Sequence, residues 1–289
     1  MEENLALSYA QSAVSSPLSL VKNFDPVADF WQSMYRDPTL YGHIHQQRLE
    51  AALGWIDELA LQLPRQVLEV GCDAGLTVEP ARRGLRVQTI DVTSRMLHET
   101  SDGVRRAGLS SLVSLCMGDA QALSFETGCF SLVIALGVIP WLPSPELAVR
   151  EMVRVLKPGG HLLLNCDNRW RLNHLLDPFY FSCCSSLGSR RVALLRHLGV
   201  LAPCSNASRR RHSKRQFDRM LTANGMEKKR SMMLGFGPFS CFGKQVFSEP
   251  MGIKIHRRLQ HLANRNMPVI RFTAAQYMVL AWKKEGGSH

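Results

Sequence analysis

The sequence predicts an α/β fold built on a mostly parallel sheet. Apolar, strand-like runs alternate with helical patterns through residues 67–166, which is the order of repeated βαβ units. The first run, Val67 to Val70, leads into a glycine turn, Gly71-Cys72-Asp73-Ala74-Gly75. A second run, Leu85 to Ile90, ends in the acidic residue Asp91. Together they predict a ligand at the carboxyl edge of the sheet, where open α/β sheets bind ligands.

The glycine turn indicates the class of ligand. Gly71 and Gly75 lack a Cβ, so the backbone there can approach a ligand closely. The spacing is Gly-x-x-x-Gly, and Asp73 stands where a dinucleotide-binding turn has its second glycine, beside the pyrophosphate. Because a carboxylate repels phosphates, the turn favours a nucleoside without a pyrophosphate, of which S-adenosylmethionine is the common one. Asp91 is placed to accept hydrogen bonds from ribose hydroxyls.

Two more strands follow in the order that this fold requires. Leu112 to Met117 runs into Gly118-Asp119-Ala120, which puts a carboxylate and backbone amides at the same edge. Phe130 to Leu136 is apolar throughout, as a strand buried on both faces is, and it leads into the turn Gly137 to Trp141. Asp119 is therefore expected to meet an adenine amino group, and Trp141 to form a wall of the pocket.

Helix signals complete the core. Pro145 to Leu156 has helical spacing, and Lys157-Pro158-Gly159-Gly160 is expected to stop this helix before a strand at His161 to Cys166. Helices are also predicted from Asp25-Pro26, over His45 to Leu63, from Ser213 to Asn224 with Gly225 as the stop, and over Ile253 to Leu262. Met226 to Leu234 and Phe272 to Trp282 alternate as strands do.

Residues 67–166 resemble the class I S-adenosylmethionine-dependent methyltransferases of the small-molecule type, with a UbiE-like core of the methyltransferase-11 group. The resemblance is carried by Glu69 to Gly75, Asp91 to Leu97, Gly118 to Ala120 and Val155 to Gly160. It covers about a third of the chain. It implies a Rossmann-like, seven-stranded, mostly parallel sheet with an antiparallel last strand, plus a helical N-terminal lead-in and cap insertions.

The resemblance also implies S-adenosylmethionine as cofactor and a set of residues that bind it. Glu69 and the loop from Gly71 to Gly75 would hold the methionine end, Asp91 the ribose, and Asp119 with Ala120 the adenine. Leu136 and Gly137 would flank the sulfonium. The full set of expected cofactor residues is Glu69, Gly71, Cys72, Gly75, Asp91, Val92, Met96, Asp119, Ala120, Leu136, Gly137 and Trp141.

The positive charge of the chain lies outside this core. The net charge is +11, yet acidic residues outnumber basic ones up to residue 166, so all of the excess falls in residues 167–289. Its densest part is Arg209-Arg210-Arg211-His212-Ser213-Lys214-Arg215. Such a cluster either forms a solvated face or attracts an anionic acceptor, a membrane surface or nucleic acid. We predict an anionic acceptor and peripheral membrane contact, and no nucleic acid partner.

Composition sets further bounds. The eight cysteines form no Cys-x-x-Cys pair, and we expect neither disulfides nor a metal site. No apolar run reaches the roughly 18 to 20 residues of a membrane span, and Met1-Glu2-Glu3 does not open as a signal peptide does, so we predict a cytoplasmic protein. The oligomeric state is left open.

The organisation expected from these signals has five parts. Residues 1–62 form a helical lead-in or lid, 63–166 the cofactor-binding core, and 167–212 a helical cap. Residues 213–285 form the C-terminal part of the core with an inserted segment, 236–268, while 286–289 is typical of a tag remnant.

Methyl transfer from a sulfonium is a direct displacement, so the protein mainly aligns the reactants and excludes water. An oxygen or weakly acidic carbon acceptor needs a base, for which imidazoles are suitable. The candidates are His43, His45, His174, His256 and Tyr35. A neutral amine needs only positioning, so the methylated atom stays open.

The preferred function is methylation of a small metabolite, such as a natural product, a glycan sugar or a lipid-linked compound. Three alternatives remain: an RNA methyltransferase, a non-catalytic cofactor-binding protein, and methylation coupled to isoprenoid rearrangement. In the last, Trp31, Trp141 and Phe179 would stabilise a carbocation.

Overall fold

The computed structural model describes residues 28–61, 65–177, 210–241 and 244–284. Its strands are β1 Gln66–Val70, β2 Arg86–Asp91, β3 Val113–Met117, β4 Phe130–Ala135, β5 Leu156–Asn168, β6 Arg211–His212, β7 Met226–Leu234, β8 Ser240–Cys241, β9 Lys244–Gln245 and β10 Gln276–Lys283. Its α-helices are α1 Ala28–Ser33, α2 Leu40–Asp57, α3 Ala74–Arg82, α4 Ser94–Arg106, α5 Pro145–Val155, α6 Leu172–Leu176, α7 Lys214–Ala223 and α8 Glu249–Asn264. Short 3-10 turns occupy Met34–Arg36, Ile139–Trp141 and Ile270–Phe272.

One sheet organises the chain, with strand order β3-β2-β1-β4-β5-β10-β7. Strands β1 to β5 run parallel, and β10 runs antiparallel to both of its neighbours, β5 and β7. The two-residue β6 adds to the end of β5. The predicted fold class, a mostly parallel seven-stranded sheet with an antiparallel last strand, is therefore confirmed. β4 is buried along its whole length, as its unbroken apolar run predicts.

Lys157 to Gly160 were expected to separate helix α5 from the next strand, and this expectation is wrong. These residues belong to β5, which begins at Leu156 directly after α5. Phe130 pairs with Leu156 and Leu132 pairs with His161, so four residues of β5 face Ser131 alone. The segment is thus a bulge, and the positive φ of +75° at Gly159 shows why glycine stands there.

The second lead-in helix, α2, begins earlier than predicted. Thr39 caps α2, because its side chain accepts a hydrogen bond from the amide of Gly42 at 3.2 Å. Tyr41 and His43, which precede the predicted start at His45, therefore lie within the first turn of α2, and α2 ends at Asp57 rather than at Leu63. The cap went unnoticed because Thr39 follows a proline in a segment that reads as a loop.

The C-terminal elements follow the predictions more closely. Ser213 and Gln216 form a capping box at the start of α7, and Gly225 turns the chain into β7 with φ of +76°. β10 starts at Gln276 and not at Phe272, since a 3-10 turn precedes it. Within the predicted helical cap, Arg211–His212 is a strand. Residues 1–27, 178–209 and 285–289 lie outside the described residues, and with them the Asp25-Pro26 helix start, Phe179, Arg209 and the predicted tag remnant.

Candidate cofactor and acceptor site

One pocket opens at the carboxyl edge of the parallel strands. Ten of the twelve residues expected to bind a cofactor line it: Gly71, Cys72, Asp91, Val92, Met96, Asp119, Ala120, Leu136, Gly137 and Trp141. Glu69 and Gly75 do not. Half of the other fourteen lining residues come from the lead-in segment and from the ends of β5 and β10, so elements distant in sequence help to close the pocket.

The glycine turn and the acid of β2 are joined directly. The backbone amide of Cys72 donates to Asp91 Oδ2 at 3.0 Å, while Asp91 Oδ1 accepts from the amide and the hydroxyl of Thr93, each at 2.8 Å. A carboxylate offers about four acceptor positions, so capacity for ribose hydroxyls remains. Burial raises the pKa of Asp91 above its usual value, and these hydrogen bonds oppose the shift.

The structure shows the role of Asp73, which stands where a dinucleotide-binding turn has its second glycine. It is the N-cap of α3, and its Oδ1 accepts from the amide of Gly75 at 2.8 Å. Burial raises the pKa of Asp73 to about 7, and the nearby Arg48 guanidinium opposes the shift. Gly75 serves packing, because a Cβ there would lie 2.9 Å from the Tyr35 ring. Asp73 therefore both starts the helix and presents a carboxylate to the pocket.

Glu69 lies beneath the turn and not in the pocket. Its side chain accepts a short hydrogen bond from the Thr77 hydroxyl. Burial raises the pKa of Glu69 to about 8, with the negative charge of Asp73 adding to the shift. The predicted contact of Glu69 with the methionine end is therefore indirect at most, through the loop that it supports.

Arg48 was missed by the sequence interpretation. This guanidinium, on α2, is only 4% exposed and lines the pocket. Its Nη2 donates to the Tyr35 hydroxyl at 3.0 Å, and among the described residues its Nε has no hydrogen-bond partner. Nothing in the pattern of α2 marks it, because an arginine on a surface helix is ordinarily exposed. A buried cation aimed into a pocket indicates an anionic ligand group.

Gly137 fits between Arg48 and a second residue that was missed, Asn165 of β5. The amide of Gly137 donates to Asn165 Oδ1 at 2.6 Å. Gly137 has φ of +82°, and a Cβ there would lie 3.3 Å from Arg48 Nη1. Asn165 in turn donates to Gln276, which also lines the pocket, at 3.3 Å. The turn after β4 is thereby held by the antiparallel strand.

Aromatic rings from the lead-in helices and from the turn after β4 form one wall of the pocket, where Trp31 packs against Cys72 and Met96. The rings of Trp31 and Trp141 meet edge to face with their centroids 6.2 Å apart, and the ring centroids of Tyr41 and His45 are 4.3 Å apart. His45 is buried, and its Nδ1 is 2.9 Å from the carbonyl oxygen of Tyr41. Because a carbonyl only accepts, Nδ1 carries the proton and Nε2 is the basic nitrogen.

Of the five candidate bases, two line the pocket and three do not. Tyr35 and His45 line the pocket. Burial raises the pKa of Tyr35 to about 12, which makes it a poor base. His43, His174 and His256 lie outside the lining; His256 accepts from the amide of Phe236 at 3.1 Å, and burial lowers its pKa to about 4.

The residues present fit S-adenosylmethionine. Asp91 and Asp119 stand at the ends of adjacent strands, as ribose and adenine require, and a Cβ at Gly71 would strike Val138 at 2.5 Å. At the other end, Arg48 and Asp73 offer opposite charges to a zwitterionic amino acid group. No cluster of three metal-binding side chains occurs among the described residues.

Comparison with known families identifies the core. Residues 68–164, from β1 to β5, match the family model described as a methyltransferase domain. This segment, about a third of the chain, is similar to methyltransferase domains, and the match supports the prediction of S-adenosylmethionine as cofactor.

Curated proteins are similar to part of the chain. The phosphatidylethanolamine N-methyltransferase of Cereibacter sphaeroides is 33% identical over 99 residues, covering 34% of this chain and 49% of that protein. The ubiquinone biosynthesis O-methyltransferase of Cupriavidus pinatubonensis is 29% identical over 118 residues, covering 40% and 47%. The chain thus spans about half the length of these curated relatives.

A solved structure extends the likeness to the whole fold. The cyclase SpnF superposes with a TM-score of 0.62 at 18% identity, covering 95% of this chain and 98% of that one. Since one fold supports different reactions, this likeness concerns the fold alone. Among the described residues, no helix has the length and apolar character needed to cross a bilayer.

Proposed function

We propose that the chain is an S-adenosylmethionine-dependent methyltransferase acting on a small, anionic or lipid-like acceptor by direct displacement. The observation that carries the proposal is the meeting of Asp91, Asp119 and the Gly71 turn in one pocket of a methyltransferase domain. When bound, the cofactor supplies a methyl group made electrophilic by a sulfonium. The residues of the chain then hold both reactants in line and exclude water.

Three parts of the pocket each bind a different portion of the cofactor. Arg48 binds the carboxylate of the methionine end and Asp73 its ammonium, a pairing that matches each charge with its opposite. Asp91 accepts from the ribose hydroxyls, and Asp119 from the adenine amino group. Gly71 and Gly137 keep the walls close enough for these contacts, since a side chain at either position meets a neighbour.

The acceptor lies against the aromatic wall. Trp31, Tyr41 and Trp141 offer apolar faces, and His45 takes the proton of an oxygen or carbon acceptor through Nε2. The basic cluster starts beside this wall. The amide of Arg210 donates to the carbonyl of Pro140, a lining residue, at 2.8 Å. In the strand pair β5–β6, the backbone of Arg211 lies opposite that of Asp167, another lining residue.

An acceptor that is apolar at the reacting end and anionic at the other fits this arrangement. The printed names of the two relatives connect them with amphiphilic compounds, since one methylates phosphatidylethanolamine and the other serves ubiquinone biosynthesis. For this chain the acceptor class stays a proposal, because the chain spans only about half the length of these relatives.

The proposal is tested by methyl transfer from labelled S-adenosylmethionine to a panel of prenylated phenols, phospholipids and diphosphate-bearing metabolites, with bulk RNA in parallel. We expect labelling of an amphiphilic small molecule and none of RNA. Arg210→Gln with Arg211→Gln should raise the KM for an anionic acceptor at least tenfold, while Arg106→Gln, exposed on α4, should leave it unchanged. Labelling of RNA alone would overturn the acceptor assignment.

The aromatic pair favours one second candidate. Trp31 and Trp141 meet edge to face in the pocket, an arrangement that can stabilise a cation formed when a prenyl double bond is methylated. In that case the product of a prenyl acceptor has a shifted double bond or a new ring, which mass spectrometry with nuclear magnetic resonance distinguishes from simple methylation.

A further inference from the structure

The loop between α8 and β10, residues 265–272, exposes large apolar side chains. Met267, Val269 and Phe272 are 43%, 71% and 44% exposed. Val269 also has φ of +67°, a conformation that β-branched residues rarely adopt. The turn is held by backbone bonds, from Ile270 to Pro268 at 2.8 Å and from Phe272 to Val269 at 3.0 Å. A strained turn that keeps a valine in solvent indicates a role for that side chain outside the fold.

This loop is anchored beside the mouth of the pocket. The side-chain amide of Asn168, at the end of β5, donates to the carbonyls of Phe272 and Ala274, both at 2.8 Å. The next residues lead into Gln276, which lines the pocket. The apolar loop therefore stands at the carboxyl edge of the sheet, the same edge on which the pocket opens.

Cations surround the exposed apolar groups. Arg265 and Arg271 flank the loop and are both exposed, and the guanidinium of Arg271 lies 4.4 Å from the Phe272 ring centroid. The outer face of α8 adds three exposed cations, Lys254, Arg257 and Arg258. From residue 249 to residue 275 the only acidic residue is Glu249, whose carboxylate accepts bonds from Leu40 and Gln245.

We propose that this surface, made of loop 265–272 and the exposed cations of α8, docks onto an anionic lipid bilayer. Met267, Val269 and Phe272 enter the interface, and the arginines meet lipid phosphates. A second copy of the chain fits less well, because a symmetric contact sets the same arginines against one another. Nucleic acid would use the arginines but leave Met267 and Val269 in water.

The test is co-sedimentation of the full chain with vesicles of phosphatidylcholine alone or mixed with phosphatidylglycerol. We expect binding to the anionic vesicles only, weakened by salt. Arg265→Gln with Arg271→Gln should lower the partition coefficient on the order of tenfold. Met267→Ser with Val269→Gly should lower it similarly, and glycine suits the positive φ, so folding is preserved. The matched controls, Arg105→Gln and Leu147→Ser on α4 and α5, should bind as the unaltered protein does.

Three results would overturn the proposal: equal binding to neutral vesicles, equal binding by all variants, or no binding by the unaltered protein. Gel filtration and an RNA gel shift on the same variants identify the rival occupants. Loss of a dimer or of RNA binding in the loop variants, without loss of vesicle binding, assigns the surface to that partner. Vesicle binding is measured without methyl transfer. A failure of the docking proposal is therefore distinguishable from a failure of the proposed function.

Discussion

The backbone amide of Cys72 donates to the carboxylate of Asp91, with N to Oδ2 at 3.0 Å. This bond joins the glycine turn after β1 to the end of β2, so the loop proposed to bind the methionine end and the acid proposed to bind the ribose form one unit. The second oxygen of Asp91 is held by Thr93. The carboxylate thus has a fixed orientation before any ligand binds, which reduces the entropy lost on binding.

Arg48→Met tests the proposed grip on the methionine carboxylate. A charge-assisted hydrogen bond contributes about 1.5 to 3 kcal/mol, so affinity for S-adenosylmethionine should fall about 10- to 100-fold. 5′-Methylthioadenosine, which lacks the amino acid end, is the matched ligand, and its affinity should be nearly unchanged. Isothermal titration calorimetry measures the affinity of the variant and of the unaltered protein for both ligands. Equal losses for both would mean that Arg48 only shapes the pocket.

Gly137→Ala should destabilise the fold and weaken cofactor binding. A left-handed backbone conformation costs an alanine about 1 to 2 kcal/mol, and here the added Cβ also crowds Arg48 at 3.3 Å. Gly84→Ala is the control, because Gly84 has φ of +76° with nothing within 4 Å. Urea denaturation should show the larger loss for Gly137→Ala, and only that variant should bind the cofactor less tightly.

Glu69→Gln should remove part of the pH dependence of stability. Burial raises the pKa of Glu69 from 4.5 to about 8, so the folded chain keeps a proton that the unfolded chain releases. The stabilisation is therefore complete below about pH 4.5 and is lost as the pH rises towards 8, at about 1.4 kcal/mol per pH unit. Denaturation at several pH values should show this fall in the unaltered protein relative to the variant. Parallel curves would contradict the burial of an ionisable Glu69.

His45→Gln should lower kcat for an oxygen or carbon acceptor by about 10²- to 10⁴-fold, with little change in KM for the cofactor. The acidic limb of the pH profile, which reports deprotonation of the base, should disappear with it. His43→Gln is the matched control, since His43 lies on the same helix outside the pocket lining. An unchanged profile in His45→Gln would show that the acceptor loses its proton to water, as a neutral amine does.

The strand ends were predictable because their signals are local. Each apolar run is followed by a glycine or an acid, and in a parallel sheet all such ends share one edge, which brings Gly71, Asp91 and Asp119 together without further information. Helix α2 was misplaced by a few residues because its cap, Thr39, follows an unremarkable loop. The bulge at Gly159 was mistaken for a stop, since a glycine at positive φ signals either.

The residues missed in the site depend on contacts far apart in sequence. Arg48 faces the pocket because α2 packs over the sheet, and Asn165 holds Gly137 across 28 positions. Neither residue type at those positions signals burial. The same holds for the choice among histidines: His43 and His45 are two residues apart, and only the rotation of α2 brings His45 to the pocket.

Isothermal titration calorimetry with Asp91→Ala measures whether the pocket binds S-adenosylmethionine through the acid at the end of β2. The unaltered protein should bind the cofactor saturably at one site per chain, and Asp91→Ala should lose binding while circular dichroism shows that it remains folded. Asp102→Ala, an acid on α4 outside the pocket, should bind normally. Cofactor affinity in folded Asp91→Ala equal to that of the unaltered protein would contradict the account.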